Sequence, residues 1–495
     1  MSLSVALQVA QSALSARQTQ MATVSRNVAG AQDAGYTRKS VMLSTVTSSS
    51  GQPGGVRVDG ISRTTDAGLY ATLLRSTSVG TAQQALLDGL TTMATTVGDT
   101  ELELSPAAQL GVLKTALQTA ASDPNDTILA QDLLSAARDM ALSLNQASET
   151  VQGVRADADA AIADSVDQIN KLLGQLEALN SVIVRGTQSG ADVTDALDSR
   201  DQVLLSLSEE IGITTLSQGD GGVAVYTDSG VTLFETTARP VTFAATNTFT
   251  ASTVGAAVYI DGVPVIGDNA VMPISSGRLS GLAMLRDEAA PTYQSQLDEI
   301  ARGLIEAFAE ADQTAVNPDQ AGLFTWSGGP AVPATATLSV GLASDIRINA
   351  NADPDQGGDL DLLRDGGISD PLDPNYDYNP ADNAGFSARL QELLEKLEAP
   401  MVFDSTVELD PTDSLSGFSA SSVSWMEARR QTVTDNLEVQ SVIVARTAES
   451  LGNETGVNID EEMTRLLELE RAYAAAAKLI SAVDNMLDDL LSAAR

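Results

Sequence analysis

Both ends of this chain carry a narrow apolar seam at heptad spacing, and no other feature of the sequence restricts the fold as strongly. Near the C-terminus, Leu466, Leu469, Tyr473, Ala476, Ile480, Val483, Leu487 and Leu490 lie alternately three and four residues apart. At the N-terminus, Leu3, Leu7, Ala10, Leu14, Arg17, Met21, Val24 and Val28 alternate four and three, with Arg17 breaking the apolar set. A 3.5-residue repeat gathers such side chains on one helical stripe, the seam of a coiled-coil-like contact. Each terminal helix therefore needs a helical partner: the other terminal helix, the same helices of neighbouring copies, or both. The contacts expected from the seams are Leu3, Leu7, Leu14, Met21 and Val24 at one end. At the other they are Leu466, Tyr473, Ile480, Val483, Leu487 and Leu490.

Composition excludes several functions. The net charge of −38 disfavours nucleic acid and anionic membranes as partners. Cysteine and histidine are both absent, so disulfides, thiolate zinc sites and imidazole-based catalysis are ruled out. No stretch of 18 continuous apolar residues is present, and no membrane insertion is expected. The first cation is Arg17 and the residues before it are amphipathic, which does not fit a cleaved secretory signal. Charge is also unevenly spread. Residues 1–63 carry six cations against Asp33 and Asp59, whereas residues 457–495 carry eight carboxylates against four cations. Two ends of opposite sign could attract and set their own register; ordinary solvated helix faces would look the same.

The reading along the chain is mainly α with inserted β, an elongated multidomain protein. Residues 1–65 form an N-terminal assembly helix, ending near Gly30, and an extended segment in which Gly35 suits a left-handed turn. Residues 66–212 form the first part of a helical rod domain, with Asp126 capping a helix that runs over 127–184. The period then drops to two over a β-domain at 213–290, where Thr227–Gly230 and Asp261-Gly262 mark hairpins. A helix at 291–312, with Pro291 in its first turn, returns to the rod domain. Residues 313–417, rich in Pro, Gly, Asp and Asn, read as a loop-rich exposed insertion. Residues 418–455 complete the rod domain and 456–495 are the C-terminal assembly helix, after a break at Gly452–Gly456. The N- and C-terminal helices should lie side by side.

Three segments carry a family resemblance. Asn27-Val28-Ala29-Gly30-Ala31-Gln32-Asp33-Ala34-Gly35-Tyr36-Thr37-Arg38, Asp195-Ala196-Leu197-Asp198-Ser199-Arg200-Asp201-Gln202-Val203-Leu204 and Gly456-Val457-Asn458-Ile459-Asp460-Glu461-Glu462 resemble motifs of the bacterial flagellar axial proteins. The second segment, with Tyr36-Thr37-Arg38 and Arg286-Asp287-Glu288, is similar to the hook–filament junction members of that family. Ala34, where the family has proline, and Gly30 imply a more flexible turn. The resemblance implies a structural, non-enzymatic protein of the flagellum, exported without a cleaved signal and polymerising at the distal end of the hook. It implies as partners other copies of the chain, the hook protein, a second hook-associated junction protein, and a cytoplasmic export chaperone at the C-terminal helix. It also makes Tyr36 and Arg38 interface residues. A hook or distal-rod subunit is the alternative within the family. An exported carboxylate-dependent hydrolase and a cytoplasmic coiled-coil scaffold are the alternatives outside it.

Catalytic, cofactor and metal sites are not expected. Asp198 and Asp201 share a helix face, yet helix N-terminal charge and bundle pairing account for them, and Glu461-Glu462 is similar. Lys39-Ser40 is adjacent in sequence only. The acidic run Asp353–Asp361 offers carboxylates at calcium-loop positions but places Arg364 where a bidentate glutamate is required, so a solvated acidic loop is the expected state.

Overall fold

A computed structural model describes residues 3–47, 53–97 and 105–493. The N-terminal seam forms helix α1 (Leu3–Gly30), and the C-terminal seam forms α12 (Ile459–Ala493). The two pack against each other. Between them in sequence the chain builds a helical body with small sheets on it.

After α1, the serine- and threonine-rich stretch forms an antiparallel hairpin of β1 (Lys39–Thr47) and β2 (Pro53–Arg63), with register shifts at Met42/Leu43 and Val46/Thr47. It is longer than the short strands its composition suggests. Packing against α1 gives it the extra layer that an isolated two-stranded hairpin lacks. Gly55, at φ +127°, brings the backbone against Ser12, whose hydroxyl accepts from Val56 N at 3.2 Å.

The helical body is made of α2 (Ala67–Val97), α3 (Pro106–Ser122), α4 (Thr127–Ser189), α5 (Thr194–Glu210), α6 (Arg278–Met284), α7 (Ala290–Ala307) and α11 (Leu415–Thr455). Local chemistry sets many of these boundaries. Ser105 caps α3 through Ala108 N and Pro106 occupies its first turn. Asp126 caps α4 through Ile128 N, and Gly190 ends it at φ 72°. The 63 residues of α4 span about 95 Å at 1.5 Å per residue, the long axis on which α2, α3, α5, α6 and α7 pack. Two of its glycines, Gly153 and Gly174, face open space.

Two three-stranded antiparallel sheets lie beside this body. One orders β3 (Ile213–Ser217), β4 (Val223–Thr227) and β5 (Thr232–Phe234); the other orders β6 (Val241–Thr242), β7 (Val258–Ile260) and β8 (Val263–Ile266). Asp261 and Gly262 both take positive φ, 49° and 80°, the geometry of a tight two-residue hairpin turn. The helix expected to start at Pro291 belongs to a longer helical run. It begins at Arg278, widens into a π-turn over Leu285–Ala289 and continues as α7. Proline lacks a backbone N–H, and the widened turn accepts it without interrupting the run.

Residues 313–417 are loop-rich but not wholly exposed. They carry β9 (Phe324–Thr325) paired with β10 (Arg347–Ile348), and β11 (Met401–Val402) paired with β12 (Thr412–Asp413). They also carry α8 (Leu342–Asp345), α9 (Leu362–Asp365) and α10 (Ala388–Glu398). Phe324, Leu342, Ile346, Leu390, Leu393 and Phe403 join the core of the helical body. Asp298 of α7 anchors the stretch by accepting from Gly341 N at 2.8 Å and Ala343 N at 2.9 Å. Burial pushes this carboxyl up to about 6 against the pull of those bonds. Alternating polar and turn residues hide such burial, because each inward side chain is separated from the next by several outward ones.

The break foreseen at Gly452–Gly456 is narrower than expected. α11 runs through Thr455, and only Gly456, Val457 and Asn458 separate it from α12.

Candidate functional site at the joint of the terminal helices

The C-terminal end of α1, the start of the hairpin, the N-terminal half of α5 and the first turn of α12 meet in one polar cluster. Asn27, fully buried near the end of α1, is its hub. Its amide nitrogen donates to Lys39 O at 2.9 Å and to Glu462 Oε2 at 3.0 Å. Its Oδ1 accepts from Lys39 N and from the Tyr36 hydroxyl, both at 3.0 Å. All four hydrogen-bonding capacities of one buried amide are thereby used, which fixes its orientation. Residues 30–36 fold as successive turns, with Asp33 N donating to Gly30 O and Tyr36 N to Asp33 O.

The two glycines of this turn act by close approach. Neither takes a left-handed φ, contrary to the expectation for Gly35. A Cβ on Gly30 would lie 2.6 Å from the Tyr36 ring, and one on Gly35 would overlap the Gln202 side chain of α5. The glycines therefore seat neighbouring side chains rather than loosen the segment.

Around this hub lie the charges. Lys39, whose side chain is entirely buried, lies between Asp195, in direct contact, and Asp198 Oδ2 at 3.2 Å. Its ammonium also sits 3.9 Å from the centre of the Tyr36 ring. Arg63, at the end of β2, bridges Asp198 at 3.0 Å and Asp201 at 2.6 Å. Arg26 reaches Asp192 and Asp195, each at 2.8 Å. Thr37 Oγ1 donates to Asp198 Oδ1 at 2.6 Å. Arg38 pairs with Glu462 at 2.8 Å, and its backbone N–H donates to Thr455 O. The basic N-terminal segment therefore finds most of its charge partners on α5. Among the described residues, Arg38–Glu462 is the one ion pair joining it to α12. Mutual attraction of the two chain ends accounts for little of the pairing. The reason is geometric: Asp195, Asp198 and Asp201 recur every third residue along the helix side that the hairpin approaches.

Lys39 and Asp195 hold each other charged. Burial alone would lower Lys39, but the Asp195 and Asp198 carboxylates more than offset it and raise the ammonium. The Lys39 hydrogen bond holds Asp195 below the usual carboxylate range, and Arg26 does the same for Asp192 against its burial. A depressed carboxyl contributes stability that is fully present above its unfolded value and lost as pH falls through the folded one. We therefore expect the joint to loosen as pH drops below about 4, the usual aspartate value. Hydrogen exchange of residues 31–39, measured at pH 6 and pH 3.5, should show earlier loss of protection there than in α4. Equal loss in both segments would contradict this.

The seam residues lie where the helical period puts them. Leu466, Tyr473, Ile480 and Leu487 are half-buried and Val483 is buried, while Leu467, Leu479 and Met486 between them are exposed. On α1, Leu7, Leu14 and Met21 are half-buried and Val24 is buried. The side chains of Leu3 and Leu490 lie outside the described residues. Tyr36 and Arg38 are engaged within the chain, on Asn27, Lys39 and Glu462. Sequence reasoning missed Asn27, Lys39, Arg63 and Glu462 as a unit. The readable signal was the three aspartates at every third residue opposite a basic N-terminal segment.

Catalytic arrangements do not form from the residues weighed for them. Asp198 and Asp201 are occupied by Lys39 and Arg63, Glu462 by Arg38 and Asn27, and the Ser40 hydroxyl contacts Ser62 at 3.1 Å. Asp353 is bound by Arg138 and Gln356. Among the described residues no group of three or more acidic side chains is placed to hold a metal ion, and no helix is long and apolar enough to cross a membrane.

The joint thus brings together the three sequence segments that marked the flagellar resemblance. Residues 74–323, half of the chain, match the flagellar hook-associated protein FlgK helical domain. Residues 453–493 match the C-terminal region of the flagellar basal body rod FlgEFG proteins. The flagellar hook-associated protein 1 of Escherichia coli K12 is 24% identical over 98% of this chain and 98% of its own length. That of Bacillus subtilis 168 is 25% identical over 98% and 97%. The flagellar hook junction protein FlgK of Burkholderia pseudomallei shares the fold, with a TM-score of 0.56 at 13% identity over 77% of this chain and 99% of that one. With its helical domain matched and relatives running its whole length, the chain belongs to the flagellar hook-associated protein FlgK family.

Proposed function

We propose that this chain is a structural junction protein of the bacterial flagellum that polymerises at the distal end of the hook and adapts it to the filament. The observation that carries this reading is the construction of the joint. Asn27–Arg38, Asp195–Asp201 and Glu462 form one interlocked unit that orients a pair of seamed terminal helices against a long helical body. Such a body presents two things at once: a helical pair with further apolar residues exposed, and an elongated outer part free to meet other proteins.

Self-association would use the faces of α1 and α12 left over from their mutual packing, with Leu7, Leu14, Met21, Val24, Leu466, Tyr473, Ile480, Val483 and Leu487 holding the pair in register. The hook protein and a second hook-associated junction protein are the expected neighbours. A cytoplasmic export chaperone would cover the exposed Leu467, Leu479 and Met486 of α12 before export without a cleaved signal. The candidate carboxylates Asp198, Asp201 and Glu462 are committed to ion pairs, which supports a non-enzymatic role. The rod-protein match at 453–493 covers only the C-terminal segment, and the helical-domain match over 74–323 favours the junction reading over a rod or hook subunit. Immuno-electron microscopy of intact flagella tests the choice. Label confined to the hook–filament boundary is expected, and label along the hook or the rod would overturn the reading.

A further inference from the structure

The two sides of the joint have separate cores. The contiguous cluster of buried apolar residues in the helical body begins at Leu74 and ends at Val433, and takes in no residue of α1, the hairpin or α12. The terminal unit buries its own side chains, among them Ala10, Ala16, Val24, Leu469 and Val483. Between the two cores lies the charged layer. Arg26, Lys39 and Arg63 of the terminal unit face Asp192, Asp195, Asp198 and Asp201, all on α5 or the turn before it.

The physics of such a layer differs from that of a shared apolar core. Apolar burial is non-directional and scales with area, so it resists separation without specifying an angle. Buried ion pairs specify geometry closely, but their attraction is largely offset by desolvation, so the net hold is modest. Removing one partner is different: it strands a charge and tips the balance sharply against the closed arrangement. A joint of this kind has one defined geometry and can be released by a change in very few groups. The backbone crossings next to it, residues 64–66 and 456–458, are short and non-helical.

We propose that the layer is an electrostatic latch in which Lys39 and Arg63 hold the paired terminal helices at one fixed angle to the helical body, and that losing their pairs lets the terminal unit swing with its own core intact. Lys39 acts as the keystone because it is fully buried, touches two carboxylates and is braced by the Tyr36 ring. Asp198 is its counterpart, shared among Lys39, Arg63 and Thr37.

The absence of cysteine makes the full chain suited to paired spin labels. Labels at Gln18→Cys and Gln188→Cys, both exposed, report across the joint; labels at Gln18→Cys and Glu470→Cys report within the terminal pair. In the otherwise native chain both distance distributions should be single and narrow. Lys39→Met with Arg63→Met, and separately the milder Asp198→Asn, should broaden the cross-joint distribution and leave the α1–α12 distance unchanged. Exchange in residues 31–39 should rise about tenfold or more, as expected for a local opening. A cross-joint distribution that stays narrow in both variants would overturn the latch. So would broadening of both distances together, since the terminal unit would then be unfolding rather than swinging.

Discussion

Replacing Ile480 with aspartate should abolish incorporation of the protein into flagella and release filament protein into the medium. Ile480 lies at the middle of the α12 seam, half-buried in the single chain, between half-buried Ala476 and buried Val483. The nearest cation in sequence, Lys478, is exposed. An aspartate here breaks the apolar stripe and lies on a helix already rich in carboxylates. Stranding a charge in a packed interface costs about 3–5 kcal/mol where no partner is available. In an assembly each copy repeats the defect, so modest losses per subunit multiply. The helical body, with its own core, should melt as before. Asp489 is exposed, and Asp489→Ala should be nearly silent. Filament counts by electron microscopy and filament protein in culture medium are the readouts. Normal filaments with Ile480→Asp, or equal damage from Asp489→Ala, would remove the seam from the account of assembly.

The largest loss of stability should come from Arg286→Met. Arg286 is wholly buried where the π-turn meets α4. Its guanidinium pairs with buried Asp159 of α4 at 2.6 Å and with Asp287 at 2.7 Å, and donates to Ala256 O at 2.8 Å. Its own carbonyl accepts from Arg155, which also donates to Thr250 O and Thr253 O. One side chain thus ties the long helix to the connection between β6 and β7. Methionine fills much of the volume but leaves Asp159 buried with Thr246 N as its remaining hydrogen-bond donor. Breaking a buried pair in this way costs about 3–5 kcal/mol, which corresponds to a fall of roughly 5 °C in the melting temperature of a body of this size. Adding Asp159→Asn should restore part of the loss, because no unpaired charge remains. Arg347→Met breaks an exposed pair with Asp345 and should change stability by less than about 1 kcal/mol. Equal shifts for Arg286→Met and Arg347→Met in calorimetry would show that the buried cluster has no special weight.

Much of the architecture was legible because it is written in short spacings. The seams fixed α1 and α12 as one-faced helices, and Asp126 marks the start of α4 through a bond made within two residues. Asp261-Gly262 announced its hairpin because few residue pairs accept two positive φ values in succession. The family resemblance was legible for the same reason, being carried by three compact segments.

What those segments do to one another was decided only in three dimensions. Glycine at 35 reads as a left-handed turn, but its role is to let Gln202, far along the chain, lie against the backbone. The acidic C-terminal helix looked like the natural partner of the basic N-terminal segment. The fold instead turns α5 toward it, and Arg26, Lys39 and Arg63 find Asp192, Asp195, Asp198 and Asp201. Net charge along a sequence sets only a long-range preference, screened within about 10 Å in salt. Which cation meets which carboxylate depends on contacts of a few ångströms between residues more than a hundred positions apart. The sequence by itself therefore determined the helices, their seams and the turn chemistry. The tertiary structure decided the joint, because burial and direct contact, not composition, make Asn27 a hub and Lys39 a keystone.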